Sequence, residues 1–173
     1  MNKQGIAGFP YFLGTNSLDT IARRSDKVCI LNILGGESRQ VTPVSHAFSG
    51  GNVVFGTSPG RSGQVLPTDI GDIPVFNNVR EGMDAGFTFN TGVVYLPPSS
   101  VRDGVAELVR VNKALEKIVI ITEKISVHDA REIRAMGQSY GIDIFGGNCL
   151  GVADSWNQVR IGGALGGDHP GEV

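Results

Sequence analysis

The sequence predicts an α/β fold in which a doubly wound, mainly parallel sheet carries helices on both faces. Two observations support this prediction. Short apolar runs alternate along the chain with longer segments of helical periodicity, and short links join them. The runs are continuously apolar rather than alternating, which is typical of strands that helices cover on both sides. Right-handed crossovers then make neighbouring strands parallel.

Six apolar runs have the length of a strand, and turn-forming residues follow them. The first run, VCILNIL, ends at Gly35 and Gly36. A long segment rich in glycine and proline, 57–72, follows the second run. The predicted strands are residues 28–34, 53–56, 73–76, 92–96, 118–122 and 142–145.

Helical segments fall between these strands, so the layout is Rossmann-like. The first helix is predicted at 38–48, where Pro43 is tolerable only in the first turn. The others follow residues that favour the helix N-cap position. These candidate caps are Asn77 or Asn78, Ser99 or Ser100, and Ser126, the last followed by Asp129 in a capping pattern.

The chain divides into three parts on this interpretation. Residues 1–26 form an N-terminal extension, 27–146 the Rossmann-like domain, and 147–173 a glycine-rich C-terminal segment. That last segment carries Trp156, Val159 and Ile161 at near-strand spacing, which favours a link to a second domain over a disordered end. We therefore expect the chain to be a piece of a larger protein.

Composition and charge exclude several classes of function. The net charge is −2, and the basic face that nucleic-acid binding needs is lacking. No apolar run approaches the roughly 20 residues of a membrane helix, and residues 1–14 lack the layout of a signal peptide. Cys29 and Cys149 show no metal-binding spacing. These features predict a cytoplasmic protein without nucleic-acid, membrane or metal partners.

In such a sheet the ligand lies beyond the carboxyl ends of the strands, where the strand order reverses. Most of the segments that follow the predicted strands combine glycine or proline with small polar residues, as expected of loops shaped around a ligand. The segments with site potential are 34–39, 58–61, 96–99, 121–124 and 146–149.

The end of the second strand reads TSPGR and presents Arg61. An NAD site would place an acidic residue near this point to hold the ribose hydroxyls. Ser58 and Arg61 suit a phosphorylated ribose instead, and both NADP and coenzyme A carry one. The residues alone leave this choice open, together with the reading of Arg61 as a solvated loop charge.

The first turn, LGGES, places main-chain N–H groups at the start of a helix, where anions commonly bind. A purely structural turn explains Gly35 and Gly36 equally well, and Glu37 is unfavourable beside an anionic ligand.

Residues for catalysis or metal binding do not assemble in the sequence. The three histidines, His46, His128 and His169, fall in a helix, a helix start and the tail. They form no nucleophile, carboxylate-pair or metal-ligand pattern with other residues. We therefore expect a binding module with no catalytic residue and no metal ligand.

Five short motifs follow one another along the chain: TSPGRSG, PVFNNVREG, LPPS, ITEKIS and GGNCLG. Together they resemble the coenzyme-A-binding domain of the succinyl-CoA synthetase α subunit, over roughly residues 27–163. That family includes the NDP-forming acyl-CoA ligases, citryl-CoA synthetase and ATP-citrate lyase. The resemblance implies coenzyme A as the ligand, and it matches Arg61 to a lysine that meets a CoA phosphate. The expected CoA-binding residues are Leu34, Gly35, Gly36, Glu37, Ser38, Ser58, Pro59, Arg61, Leu96, Pro97, Ile121, Thr122 and Glu123.

The resemblance also implies a reaction and a partner. The family joins a carboxylic acid to CoA at the expense of ATP or GTP, through a phosphohistidine in a following domain and with a nucleotide-grasping β subunit or fused domain. The chain departs from the family pattern in the first turn, which reads NILGGES where the family has G-F-T-G-x-x-G and so loses two glycines, a threonine and, at Glu37, a neutral glutamine. Lys124 also replaces the glycine that follows Thr-Glu in the family. Two alternatives stay open: an NADP-binding oxidoreductase domain and a stand-alone, non-catalytic CoA-binding module.

Overall fold

The computed structural model describes residues 21–164 of the chain. Strands and helices alternate along the first part of this range, and a hairpin ends it. The strands are β1 (Val28–Leu31), β2 (Val53–Thr57), β3 (Val65–Leu66), β4 (Ile73–Phe76), β5 (Thr91–Val94), β6 (Lys117–Ile120), β7 (Asp143–Phe145), β8 (Gly151–Asp154) and β9 (Val159–Gly162). The helices are α1 (Gly36–Phe48), α2 (Val79–Asp84), α3 (Val101–Val111) and α4 (Val127–Tyr140), and a short 3₁₀ turn, Pro98–Ser100, precedes α3.

The main sheet has seven strands in the order β3-β4-β2-β1-β5-β6-β7. All neighbours pair in parallel except β3, a short edge strand antiparallel to β4. The predicted doubly wound α/β fold is confirmed. The chain builds outward from β1 to β4 and then returns to the other side of β1 as β5. The strand order therefore reverses between β1 and β5, where a ligand-binding crevice is expected.

Apolar side chains fill both sides of this sheet. One cluster is centred on Phe55, Leu108 and Ile118 and lies under α2, α3 and α4. The second includes Ile30 and Val93 and is completed by the hairpin. Burial on both faces explains why the parallel strands read as continuous apolar runs.

Helix α1 meets its neighbours through polar groups. Its buried residues are Ser38, Thr42, Ser45 and His46. The His46 Nδ1 accepts a hydrogen bond of 3.0 Å from the Val53 N–H, and burial lowers the pKa of this histidine. The neutral imidazole therefore ties α1 to the start of β2.

Strands β8 and β9 form an antiparallel hairpin that lies against α1. Ser45 Oγ donates to the Gly162 carbonyl at 2.8 Å, and Asn52 Nδ2 donates to the Arg160 carbonyl at 2.7 Å. Val159 and Ile161 are buried in β9, in line with their predicted strand spacing, whereas Trp156 is exposed in the turn between β8 and β9, so its expected place in the strand is wrong. The segment that follows the Rossmann-like domain thus packs on it up to residue 162; the second domain beyond it stays a prediction.

Two boundaries differ from the sequence prediction. Strand β1 ends at Leu31, because Asn32 adopts a left-handed conformation with φ of 65° and begins the turn. Helix α1 starts at Gly36, so Pro43 lies in its interior rather than its first turn. The expectation for Pro43 is therefore wrong. The missing N–H removes one hydrogen bond, and the contacts of α1 with β9 keep the helix continuous.

The predicted helix caps are largely confirmed. The Asn78 side chain accepts from the Glu81 N–H at 2.9 Å, and Ser126 Oγ accepts from the Asp129 N–H at 3.0 Å. Ser100 precedes α3 without a side-chain cap, because the 3₁₀ turn leads directly into the helix. No helix within residues 21–164 is long and apolar enough to span a membrane.

The described part of the N-terminal extension is tied to the sheet by a buried ion pair. Lys117 Nζ lies 2.6 Å from Asp26 Oδ2, with both side chains fully buried, and also donates to the Ile21 carbonyl at 2.8 Å. Residues 1–20 lie outside the described part of the chain. Residues 21–26 therefore belong to the packed unit, at the sheet edge opposite the strand carboxyl ends.

Candidate functional site

A cleft of about 330 Å³ opens at the carboxyl edge of the sheet. It lies where the strand order reverses, between the start of α1 and the loops after β5 and β6. The residues that line it are Glu37, Tyr95, Leu96, Pro98, Ile121, Thr122, Glu123 and Lys124. The topology alone identifies this place as the expected ligand site.

The wall formed by the loops after β5 and β6 is held by hydrogen bonds to main-chain carbonyls. Thr122 Oγ1 donates to the Leu96 carbonyl at 2.6 Å, and the Ile121 N–H donates to the Val94 carbonyl at 3.1 Å. The Asn148 N–H donates to the Thr122 carbonyl at 2.9 Å from the next loop. These bonds extend the sheet pairing past the ends of the strands and give the cleft a firm wall.

Tyr95 places a polar atom in an otherwise apolar part of this wall. Its Oη is buried and has no hydrogen-bond partner among residues 21–164. Burial, with a smaller effect of the Glu37 carboxylate, raises the pKa of the Tyr95 phenol, so the hydroxyl keeps its proton. A buried hydroxyl without a partner is costly, and a bound polar group would satisfy it.

The turn from β1 into α1 presents unpaired main-chain donors. Gly35 is the N-cap residue and supplies no side-chain cap, so the first N–H groups of α1 have no partner within the helix. Ser38 is buried, and its Oγ donates to the Asn32 carbonyl at 2.5 Å. Ser38 therefore shapes the turn from below, whereas Gly36 and Glu37 are exposed at the cleft side.

The loop after β2 is shaped by one asparagine. Asn77 Oδ1 accepts from the Gly60 N–H at 2.9 Å and from the Ser62 N–H at 3.3 Å. Gly60 adopts a left-handed conformation with φ of 77°, which favours glycine at that point of the SPG turn. The PVFNNVREG motif thus supplies the side chain that folds the TSPGRSG motif.

Glu81 supports the same loop from α2. Its carboxylate accepts from the Asn77 N–H at 2.7 Å and from Ser62 Oγ at 2.8 Å. The hydrogen bond from the Asn77 main chain, followed by that from Ser62, lowers the pKa of Glu81. The carboxylate is therefore charged and occupied in holding the loop.

Arg61 is the cation that this loop presents. The residue is exposed, and its guanidinium makes no ion pair within residues 21–164. Ser58 is 7% exposed, and its main-chain N–H donates to the Phe76 carbonyl at 2.8 Å. The loop therefore offers a positive charge at the end of β2, with Ser58 largely covered beneath it.

The predicted site residues divide into two groups in the structure. Five of them line the cleft: Glu37, Leu96, Ile121, Thr122 and Glu123. The other eight lie on the flanking loops of the same sheet edge: Leu34, Gly35, Gly36, Ser38, Ser58, Pro59, Arg61 and Pro97.

Three lining residues were absent from the predicted set. They are Tyr95, Pro98 and Lys124. Pro98 and Lys124 belong to the LPPS and ITEKIS motifs, so their position beside predicted residues was a usable signal. Tyr95 reads in the sequence as part of an apolar strand, and only the unpaired Oη distinguishes it.

A second group of ligating side chains lies at the start of α4. His128 Nε2 is 3.1 Å from Glu132 Oε1, and Glu132 Oε2 is 3.2 Å from Arg102 Nη1. Asp129 is the third member of the group. Because the charges already pair with one another, we interpret the cluster as a surface ion-pair network.

Comparison with known families and proteins agrees with this geometry. The family described as CoA binding domain matches residues 30–124, which run from the second half of β1 through β6 and include the residues that line the cleft. An ADP-forming sulfoacetate-CoA ligase subunit from Bilophila wadsworthia is 32% identical over 121 residues, covering 70% of this chain and 37% of that protein. The alpha subunit of an ADP-forming succinate–CoA ligase from Staphylococcus epidermidis is 31% identical over 113 residues, covering 65% of this chain and 35% of the relative.

Solved structures show the same fold. ATP citrate lyase from Methanothrix soehngenii, in complex with citrate and coenzyme A, matches with a TM-score of 0.66 at 13% identity. The match covers 76% of this chain and 22% of that one. The matched part of this chain thus spans well under half the length of the two ligase subunits and of the lyase.

Proposed function

This chain belongs to the CoA-binding domain family, and we propose on that premise that it forms the CoA-binding part of an NDP-forming acid–CoA ligase. The overall reaction would join a carboxylic acid to the CoA thiol while a nucleoside triphosphate yields the diphosphate and phosphate. Relatives from two ligase subunit types, one for sulfoacetate and one for succinate, support this reaction class.

The residues at the sheet edge fit the chemistry of CoA. Arg61 is a cation without an ion pair among residues 21–164, and it lies at the end of β2, where a nucleotide fold holds the adenosine ribose. It would meet the ribose phosphate of CoA. The exposed N–H groups at the start of α1 would receive the diphosphate. The orphaned Tyr95 Oη offers a hydrogen bond to a polar group in the cleft. CoA would supply the thiol that accepts the acyl group.

The chemistry itself would lie outside residues 21–164. We assign no catalytic residue there, and the phosphohistidine would belong to a following domain to which residues 147–173 lead. A nucleotide-grasping β subunit or fused domain would supply the triphosphate, and the setting would be cytoplasmic. The relatives' greater length supports the missing domain.

One observation carries the proposal: the cleft at the strand-order reversal is lined by five of the residues expected to bind CoA. The LPPS and ITEKIS motifs lie far apart in the sequence, yet they form one wall. A binding site explains their convergence at the carboxyl edge.

Calorimetric titration of the wild-type chain and the Arg61→Ala variant with CoA tests the proposal. We expect the variant to bind about ten- to hundredfold more weakly, because it loses a charge-assisted bond worth roughly 1.5–3 kcal/mol. Dephospho-CoA lacks the ribose phosphate and should bind both proteins equally.

Arg110→Ala is the matched control. Arg110 is an exposed arginine in the last turn of α3, away from the cleft, and its loss should leave CoA binding unchanged. Failure of the wild-type chain to bind CoA would refute the proposal. Tighter binding of NADPH than of CoA in parallel titrations would instead identify an NADP-binding domain.

A further inference from the structure

Three charged residues line the cleft: Glu37 on one side, and Glu123 and Lys124 on the other. Glu37 lies in the first turn of α1, and Lys124 lies in the loop after β6. Both side chains line the cleft, and neither makes an ion pair within residues 21–164. They are the two positions at which the sequence departs in charge from the motifs it resembles. The fold thus places both departures in one small volume.

Lys124 occupies a backbone conformation that is unfavourable for lysine. Its φ of 58° lies in the left-handed region, which glycine adopts without a steric penalty. Backbone strain of this kind is concentrated at functional sites, so it indicates that the Lys124 side chain has a role in the cleft. Relative to glycine, Lys124 adds an exposed side chain at the cleft, an alkyl chain that ends in a positively charged ammonium group.

Glu37 supplies the reason for a cation at this point. Its carboxylate would repel an anionic ligand that approaches the start of α1. The field of Glu37 also reaches the buried part of the cleft, since it contributes to the raised pKa of Tyr95. Glu123 also lines the cleft, so the positive charge of Lys124 on the side opposite Glu37 offsets one of two carboxylates there.

We propose that Lys124 is an affinity-determining residue whose positive charge offsets Glu37, so that the cleft accepts the anionic coenzyme. This inference rests on the proposed function, because it assumes that CoA is the ligand of this cleft. It predicts that the two charges have opposite effects on CoA affinity, although each side chain lines the same site.

Titration of CoA at low ionic strength into the wild-type chain, Lys124→Asn, Glu37→Gln and the double variant tests the proposal. Asparagine tolerates the left-handed conformation but carries no charge. We expect Lys124→Asn to weaken CoA binding about three- to fivefold and Glu37→Gln to strengthen it to a similar extent, the scale of an exposed charge interaction. The double variant should bind within about twofold of wild type, and added salt should reduce both single effects.

Lys124→Gly and Lys124→Arg separate charge from backbone strain. The glycine variant should weaken CoA binding like Lys124→Asn while raising the Tm by roughly 2 °C, because strain is relieved. The arginine variant should keep wild-type affinity. Normal CoA binding by the wild type with an unchanged Kd in Lys124→Asn would overturn the charge-balance proposal alone. Weaker binding by Glu37→Gln would also overturn it. Absence of CoA binding by the wild type would refute the proposed function and this inference together.

Discussion

The loop that carries Arg61 and the cleft wall formed by the loops after β5 and β6 hold their residues in different ways. The Arg61 loop combines main-chain turn bonds, such as that from the Arg61 N–H to the Ser58 carbonyl, with bonds to two side chains, Asn77 and Glu81. The wall is shaped by bonds to the main chain of neighbouring strands, including the Thr122 to Leu96 bond. The Arg61 loop, which depends on two side chains for part of its support, should therefore be more sensitive to mutation than a wall built on the sheet.

Gly56→Ala should have the largest effect on the stability of the protein, because it disturbs the packing in the sheet beneath the Arg61 loop and the cleft wall. An added Cβ on Gly56 would lie about 2.5 Å from Ile33 Cβ, an atom that side-chain rotation cannot move. Ile33 belongs to the turn between β1 and α1 and is fully buried. We expect a loss of about 2–3 kcal/mol in the free energy of unfolding and a fall of roughly 5–10 °C in Tm.

The measurement is the Tm of Gly56→Ala by thermal unfolding, with Gly36→Ala as the matched control. A Cβ on Gly36 would meet no atom within 4 Å, so this variant should keep the wild-type Tm. Equal Tm values for both variants would show that close packing of the turn on β2 contributes little.

Asn77→Ala should weaken CoA binding about five- to tenfold. The change removes the acceptor for two main-chain N–H groups and so loosens the loop that positions Arg61. Asn77→Asp keeps an acceptor oxygen but sets a second carboxylate beside that of Glu81, so it should also bind CoA more weakly than wild type. Titration with dephospho-CoA should show little difference among these proteins. A similar loss for both ligands would place the role of Asn77 elsewhere in the site.

Thr122→Val should have the smallest effect on CoA binding. It tests whether the cleft wall depends less on single side chains than the Arg61 loop does. The variant keeps the shape of the side chain but loses the 2.6 Å hydrogen bond to the Leu96 carbonyl. We expect a loss of about 1 kcal/mol in the free energy of unfolding, measured by urea titration, because one partly buried bond disappears.

The CoA affinity of this variant should fall by no more than about threefold, since sheet pairing still supports the wall. Thr122→Ser is the control that keeps the hydroxyl. A tenfold loss of CoA affinity in Thr122→Val would contradict the contrast, because the wall would then depend on one side chain as the Arg61 loop does.

Local signals in the sequence account for much of the fold. The continuous apolar runs predict the parallel strands, and Asn78 and Ser126 predict the starts of α2 and α4 through their capping bonds. Pro43 shows where such signals fail. It reads as a helix breaker, yet α1 continues through it because distant residues of the hairpin pack against that helix.

In the candidate site, too, local sequence signals predict some features and distant contacts decide others. The TSPGR and ITE segments are recognisable because a strand end followed by glycine, proline or small polar residues has a known role at a parallel sheet edge. Tyr95 and Lys124 are not recognisable in this way. The significance of Tyr95 depends on a buried, unpartnered Oη, and that of Lys124 on a left-handed φ and on its place in the cleft.

The sequence by itself therefore determined where along the chain the candidate ligand-binding loops lie. It shows which loops follow strands, which of them carry glycine, and which one presents Arg61. These are local properties that composition and spacing encode. Only the tertiary structure decided that Glu37 and Lys124 share one cleft. Residues so far apart in sequence come together only when β5 returns beside β1 and reverses the strand order, and no local pattern specifies that long-range pairing.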